Sequence, residues 1–276
     1  GDHHNTNTNS HVAWNWKAGG APSGELVGSG ATMSGTSGNG TIHDSATGVS
    51  GTNTITQSVN QTSGVSITKF TGIDAGGSFP HNLGGIPDFF VIKSLVNAGV
   101  TDAWYVWHQK LTATSDKHLI LNTTSAEVSD TAVYGDAPTS TLIHTGTADG
   151  SGGFPAAFIC YAWKAVEGYS KMGSYVGNGS ADGTFVYTGF RPAWLLVRDI
   201  NNANHWFCVD AVRGPYNVLN EELRPNASTA EQANITFDFT SNGFKARTTS
   251  TGQNGDGRVY LFLAFAEIPM KYSNAR

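Results

Sequence analysis

Apolar residues recur at every second position through much of the chain. Ile159, Tyr161 and Trp163 share one parity, as do Leu261, Leu263 and Phe265, and, near the start, Val12, Trp14 and Trp16. A period of two is that of a strand buried on one face, so the bulky parity predicts the core face. The other parity, Phe158, Cys160, Ala162 and Lys164, is small or mixed and predicts contact with a second surface. The runs that follow Pro87 and Pro192 are continuously apolar, as strands covered on both faces are. Turn signals separate these runs, which predicts an all-β protein of tandem antiparallel β-sandwich, jelly-roll-like domains of about a hundred residues each. Helical turns are expected only near residues 216–223 and 229–234.

The pattern repeats. Trp104-Tyr105-Val106-Trp107 is echoed 102 residues later by Trp206-Phe207-Cys208-Val209, and the run from Pro87 is echoed 105 residues later by that from Pro192. Asn122-Thr123-Thr124-Ser125-Ala126-Glu127 returns after 104 residues as Asn226-Ala227-Ser228-Thr229-Ala230-Glu231, and Ala162-Trp163-Lys164-Ala165-Val166 after 102 as Ala264-Phe265-Ala266-Glu267-Ile268. Four echoes in one order at nearly one spacing mark an internal repeat. Residues 11–18 read like the last strand of a further copy. The expected organisation is therefore residues 1–18 as the last strand of a truncated preceding repeat, 19–64 as a Gly/Ser/Thr-rich linker, 65–168 as repeat 1 and 169–276 as repeat 2. The scattered apolar residues of 19–64 (Leu26, Val27, Met33, Ile42, Val49, Ile55, Val59) are too few for a core of their own.

Composition narrows the function. Charged residues are 13% of the 276, about half the usual share, and 34 glycines suit tight turns between short strands. Aromatics at 11%, with 7 Trp, supply the buried area for real cores. A net charge of −5 offers no basic patch for nucleic acid, and no apolar run approaches the length of a membrane helix. Cys160 and Cys208 alternate with large apolar residues and read as buried free thiols.

No catalytic constellation stands out, and no cofactor is implied. Asp149, Asp182 and Asp256 sit in Gly-rich turns, where Asp bonds its own backbone. The loop 178–183 lacks the spacing of a calcium loop, and the His residues, His3-His4 included, lack the paired spacing of zinc sites. The sequons at Asn60, Asn122, Asn178, Asn226 and Asn234 are of the kind that Asn- and Thr-rich loops produce by chance. The strand 104–107 has two aromatic faces, one for a core and one for a subunit contact or a sugar. Tyr105, Trp107 and His108 are the candidates for stacking on a glycan.

Residues 168–180 (Gly-Tyr-Ser-Lys-Met-Gly-Ser-Tyr-Val-Gly-Asn-Gly-Ser), followed by Phe185-Val186-Tyr187-Thr188-Gly189-Phe190-Arg191-Pro192, resemble a family of repeated domains in virion proteins of tailed phages, especially those of aquatic bacteria. The strand Trp163-Lys164-Ala165 and the ending Lys271-Tyr272-Ser273-Asn274-Ala275-Arg276 are similar to it too, although Lys164-Ala165 stands where Ala-Glu is more usual. The resemblance covers residues 65–276 and the stub at 11–20. It implies a structural, non-enzymatic component of a tail fibre or related appendage, extracellular on the virion. It further implies a homotrimer among other virion proteins, with a bacterial surface glycan or protein as possible receptor. The alternatives are a purely structural capsid or tail decoration and a glycan-processing spike domain, the last requiring a carboxylate pair across a groove.

Overall fold

The structure, a computed structural model, describes residues 11–20, 38–44, 50–96, 103–234 and 236–268, with side chains excepted over 38–54. The expectations that concern His3-His4 and residues 271–276 lie outside the described residues.

The first half builds a ten-stranded antiparallel sheet. Its strands are β1 (Gly38–Asp44), β2 (Ser50–Asn60), β3 (Val65–Thr71), β4 (Gly77–Pro80), β5 (Phe89–Ser94), β6 (Trp104–His108), β7 (Lys117–Ile120), β8 (Val128–Ser129), β9 (Leu142–Thr145) and β10 (Ala157–Trp163). They lie in the order β8-β7-β6-β5-β10-β3-β2-β1-β4-β9. Phe79 of β4 and Ile143 of β9 share one core with Phe90, Ile92, Trp107 and Phe158, so the sheet folds over and its far end covers its middle. A short helix, α1 (Thr131–Tyr134), closes the gap with Val133 and Tyr134, its first turn capped by the Asp130 side chain.

The linker expected over 19–64 is corrected by β1 and β2. Ile55, Gln57 and Val59 are fully buried on β2, which pairs with β3 from Thr56↔Lys69 to Asn60↔Val65. These few apolar residues suffice because they complete a neighbour's core. Gln57 carries a buried network, donating to Thr68 Oγ1 (2.7 Å) and the Pro80 carbonyl (2.6 Å) and accepting from Asn82 Nδ2 (2.6 Å). Three satisfied bonds let a Gln occupy a core position that reads as polar linker in sequence.

The second half is a sandwich of two smaller antiparallel sheets. Its strands are β11 (Ser170–Val176), β12 (Phe185–Tyr187), β13 (Pro192–Asp199), β14 (Trp206–Asp210), β15 (Glu221–Glu222), β16 (Gln232–Ala233), β17 (Phe237–Thr240), β18 (Gly243–Ala246) and β19 (Val259–Ala266). The order β11-β19-β13-β14 faces β12-β18-β17 across a core of Leu195, Val197, Phe237, Phe244, Tyr260 and Phe262. Residues 216–223 and 229–234, expected as helical turns, instead hold the β15–β16 hairpin, whose Leu223 bridges to Cys208. Tertiary pairing overrides the local helix preference of Glu-Glu-Leu-Arg.

Both halves pair their strands in one order. β3-β10-β5-β6 corresponds to β11-β19-β13-β14, and the bridge Cys208↔Leu223 matches the pair Val106↔Leu119. Asn122 Oδ1 accepts from Trp104 N (3.1 Å), and Asn226 Oδ1 accepts from Trp206 N (2.9 Å). Two of the five sequon asparagines are thus structural caps on the first residue of a strand.

The two main sheets then lie against each other. Phe89, Val91, Val106 and Leu119 of the first half form one cluster with Leu196, Trp206, Cys208, Leu261, Leu263 and Phe265 of the second. The molecule is a stack of four β layers with three cores between them. This corrects the expected facing of the repeated last strand. On β10 the small parity, Phe158, Cys160 and Ala162, fills the first half's own core, while Trp163 on the bulky parity meets the other half. On β19 Tyr260, Phe262 and Ala264 turn inward while Leu261, Leu263 and Phe265 form the junction. Residues 11–18, expected as a last strand, have no assigned strand, yet Trp14 and Trp16 enter the same junction. The Trp16 ring lies 6.0 Å from Trp163, 5.5 Å from Trp194 and 5.4 Å from Phe265.

Arg198 locks the junction. It is fully buried and donates to the Thr124 carbonyl (2.9 Å) and to that of Ser125, both in the first half, and to Asn204 O in its own. Its guanidinium lies 5.6 Å from the Trp206 ring, whose Nε1 donates to Ile120 O across the junction (3.1 Å). Burial lowers the Arg198 pKa to about 10, which leaves it charged at neutral pH.

Candidate functional site

The three residues expected to stack on a glycan are not gathered on a surface. Trp107 is buried at 2% exposure, stacks on Phe90 with rings 5.3 Å apart and donates its Nε1 to Thr114 O (2.9 Å). Tyr105 points the same way, packing on the first core with its ring 5.4 Å from that of His118. His108, of opposite parity, is fully buried beside Phe89. Burial lowers its pKa to about 3, so it is neutral. Both aromatic faces of β6 are occupied, one by the core and one by the other half, and stacking on a ligand by Trp107 or His108 is corrected on that ground.

The other candidates also resolve into structure. Cys160 and Cys208 are free and buried, and burial raises both thiols, Cys208 to about 12. Asp182, in the loop 178–183, pairs with Lys245 Nζ at 2.5 Å. Among the described residues no group of three or more His, Cys, Asp or Glu is placed to hold a metal ion, and no helix is long and apolar enough to cross a membrane.

An open recess does lie in the second half, at the same register on β14 as Tyr105 on β6. This cleft of about 490 Å³ is lined by Phe207 of β14, Glu222 and Arg224 around β15, and a loop from Thr248 to Gln253, with Asn204, His205 and Asn234 at its rim. The Glu222 side chain is 1% exposed at the floor. Its Oε1 accepts from Arg224 Nε (2.8 Å) and its Oε2 from Gln253 Nε2 (2.7 Å). A buried carboxylate needs such partners. The Arg224 guanidinium lies 5.7 Å from the Phe207 ring centroid, held between a carboxylate and an aromatic ring. Gly252 lets the loop lie on the same ring, since a Cβ there would meet Phe207 Cζ at 2.7 Å.

The rim is fixed as firmly. Asn204 donates Nδ2 to buried Asp199 (2.9 Å), and its own N–H donates to Thr124 O of the first half (3.0 Å), so the cleft wall is anchored in the junction. Asp199 also accepts from Arg258 Nη1 (3.0 Å). His205 Nδ1 accepts from Asn226 Nδ2 (3.0 Å), which leaves the ring hydrogen on Nε2. Glu222 is the one carboxylate among the residues that line the cleft.

The first half closes the matching space. Gly146 N donates to Val133 O (3.0 Å) and Ala148 N to Ala132 O (2.7 Å), so the strap corresponding to residues 248–250 is bonded onto α1. A smaller recess of about 370 Å³ remains beside that helix, lined by Ala75, Thr131, Asp136 and His144 among others. By register, Glu222 and Arg224 stand where the first half has His118 and Ile120. The signal in the sequence was therefore a charged pair entering one copy of a repeat that is otherwise poor in charge.

A family model described as a domain of unknown function (DUF7483) matches residues 38–269. The match starts at the first residue of β1 and runs through both halves, so the family unit includes the strands expected as linker. No curated protein and no solved structure matches the chain.

Proposed function

The chain belongs to the DUF7483 family, and we propose that it serves as a structural component of a phage virion appendage of the tail-fibre kind, extracellular, homotrimeric and contributing to attachment at the host surface. The resemblance of residues 168–192 to repeated domains of phage virion proteins supports the appendage part. The observation that carries the attachment part is the cleft at Phe207, Arg224 and Gln253, a recess floored by the buried Glu222 carboxylate with its Arg224 and Gln253 partners. Binding is favoured over hydrolysis because the cleft is lined by a single carboxylate, already bonded on both oxygens, whereas glycoside cleavage uses two.

The test has three arms. Antibody to this chain should label one defined appendage on intact particles, and the labelled chain should adhere to cells that the phage infects. Sedimentation should return a trimer. A monomer at high concentration, absence of label from particles, or release of sugar from host polysaccharide would each overturn the reading.

A further inference from the structure

We propose that the cleft at Phe207, Arg224 and Gln253 binds a carboxylate-bearing sugar, with the carboxylate on the outer nitrogens of Arg224 and the hydroxyls on the polar groups around it; this deepens the attachment reading and rests on it. Arg224 spends Nε on Glu222, and its Nη1 and Nη2 make no hydrogen bond among the described residues. A guanidinium fixed through Nε presents its other edge as a fork, the geometry that takes a carboxylate in two parallel bonds. Fixing it beforehand removes much of the ordering cost of binding.

The charge balance selects the anion. The lining holds one guanidinium and one carboxylate. A singly charged carboxylate docks on the fork, while a doubly charged phosphate meets Glu222 with one cation to offset it. The remaining lining selects the body of the ligand. Asn204, Asn234, Thr248, Ser250 and Thr251 offer neutral donors and acceptors suited to hydroxyls, and the volume falls in the usual range of small-molecule sites. The half-buried His205 adds ring contact for a sugar and packs edge-on, 6.3 Å away, against the buried Phe207 that backs the cleft. The first half has no equivalent, since His118 and Ile120 supply neither the floor nor the fork.

Saturation-transfer NMR on the full chain with glucuronate, N-acetylneuraminate and glucose tests this directly. Glucuronate and glucose differ in the carboxylate alone, so signal is expected from at least one acidic sugar and none from glucose. Arg224→Ala should abolish the signal, and Arg224→Lys, which keeps the charge and loses the fork, should weaken binding roughly tenfold or more. Each variant is compared at matched melting temperature, so that a folding defect is recognised, and Arg191→Ala serves as an arginine remote from the cleft. Equal binding of glucose, full binding by Arg224→Ala, or no acidic sugar bound by the folded wild type would overturn the inference. Adhesion of the same wild-type chain to host cells is measured in parallel. Adhesion without acidic-sugar binding sinks the ligand assignment and spares the attachment reading; acidic-sugar binding without adhesion does the reverse.

Discussion

In the first half, the buried polar groups are neutral: Gln57 and Thr68 on adjacent strands, His81 and His108 in the interior. In the second half neutral groups are joined by charged ones, Arg198, Asp199, Asp210 and Glu222, each with a partner of opposite charge or a row of carbonyls. The strands pair in one order in both. What differs is the covering of the main sheet. Where α1 and the strap 146–148 bond to each other, the recess that remains is smaller, about 370 Å³. Where the strap 248–253 packs on Phe207 instead, one carboxylate, Glu222, and one guanidinium, Arg224, line a cleft of about 490 Å³. One strand order thus carries two differently covered versions of the same unit, and the junction fixes them to each other.

The largest expected effect comes from the element that makes the pair a pair. Arg198→Ala should cost about 3 kcal/mol in denaturant unfolding, because a fully buried side chain is lost and the carbonyls of Ser125, across the junction, and Asn204 lose their donor. Lys93, which holds the matching register position in the first half and is partly exposed, should cost about 1 kcal/mol or less on truncation. Equal costs would mean that the junction does not depend on Arg198.

Acid should act next most strongly, and through the first half. Burial lowers His81 to about 4 and His108 to about 3, both below the ordinary 6.5 that the unfolded chain retains. A depressed histidine favours the folded state fully above pH 6.5. As the pH falls from there towards 4 and 3, the unfolded chain takes up protons first and stability is lost, levelling off below the folded values. Each pH unit is worth about 1.4 kcal/mol per group, so the two together remove several kcal/mol. Melting curves at pH 7, 5.5 and 4 should show that slope, and His81→Gln with His108→Gln should flatten it. An unchanged slope in the double variant would place the acid sensitivity elsewhere.

A smaller effect is expected at the arm. Trp16→Ala removes contacts with Trp163, Trp194 and Phe265 from a partly exposed ring and should cost about 2 kcal/mol. The smallest concerns the two caps. Asn122→Ala and Asn226→Ala should each cost about 1 kcal/mol, since each frees one strand N–H. If one costs that much and the other nothing, the structural correspondence between the halves fails at that position.

Much of this fold was legible in the sequence. Period two located β10 and β19, continuous apolar runs located β5 and β13, and the echoes placed these and the pair β6 and β14 in corresponding register. The facing of β10 and β19 was not legible, because strand patterning reports how bulky a face is and not what covers it. Cys160 and Ala162 are small on a face that, with Phe158, meets α1 and the folded-over strands, whereas Trp163 and Phe265 are large where another sheet stands opposite. β1 and β2 were hidden by composition: their core contribution is a few residues, and one of these is a glutamine made tolerable by three hydrogen bonds. The cleft was hidden by locality. Glu222 and Arg224 read as a helical turn, and their partners Phe207 and Gln253 come from strands and loops far along the chain. Trp107 and His108 drew attention as a surface because a strand with two aromatic faces looks exposed until its second cover is known.

The central claim is that the two halves form one folding unit joined through the bulky faces of their main sheets. Scanning calorimetry of the full chain tests it most directly. A single transition, with calorimetric and van't Hoff enthalpies equal, is the predicted result. Two transitions of roughly half the enthalpy each, one of them insensitive to Arg198→Ala, would contradict it.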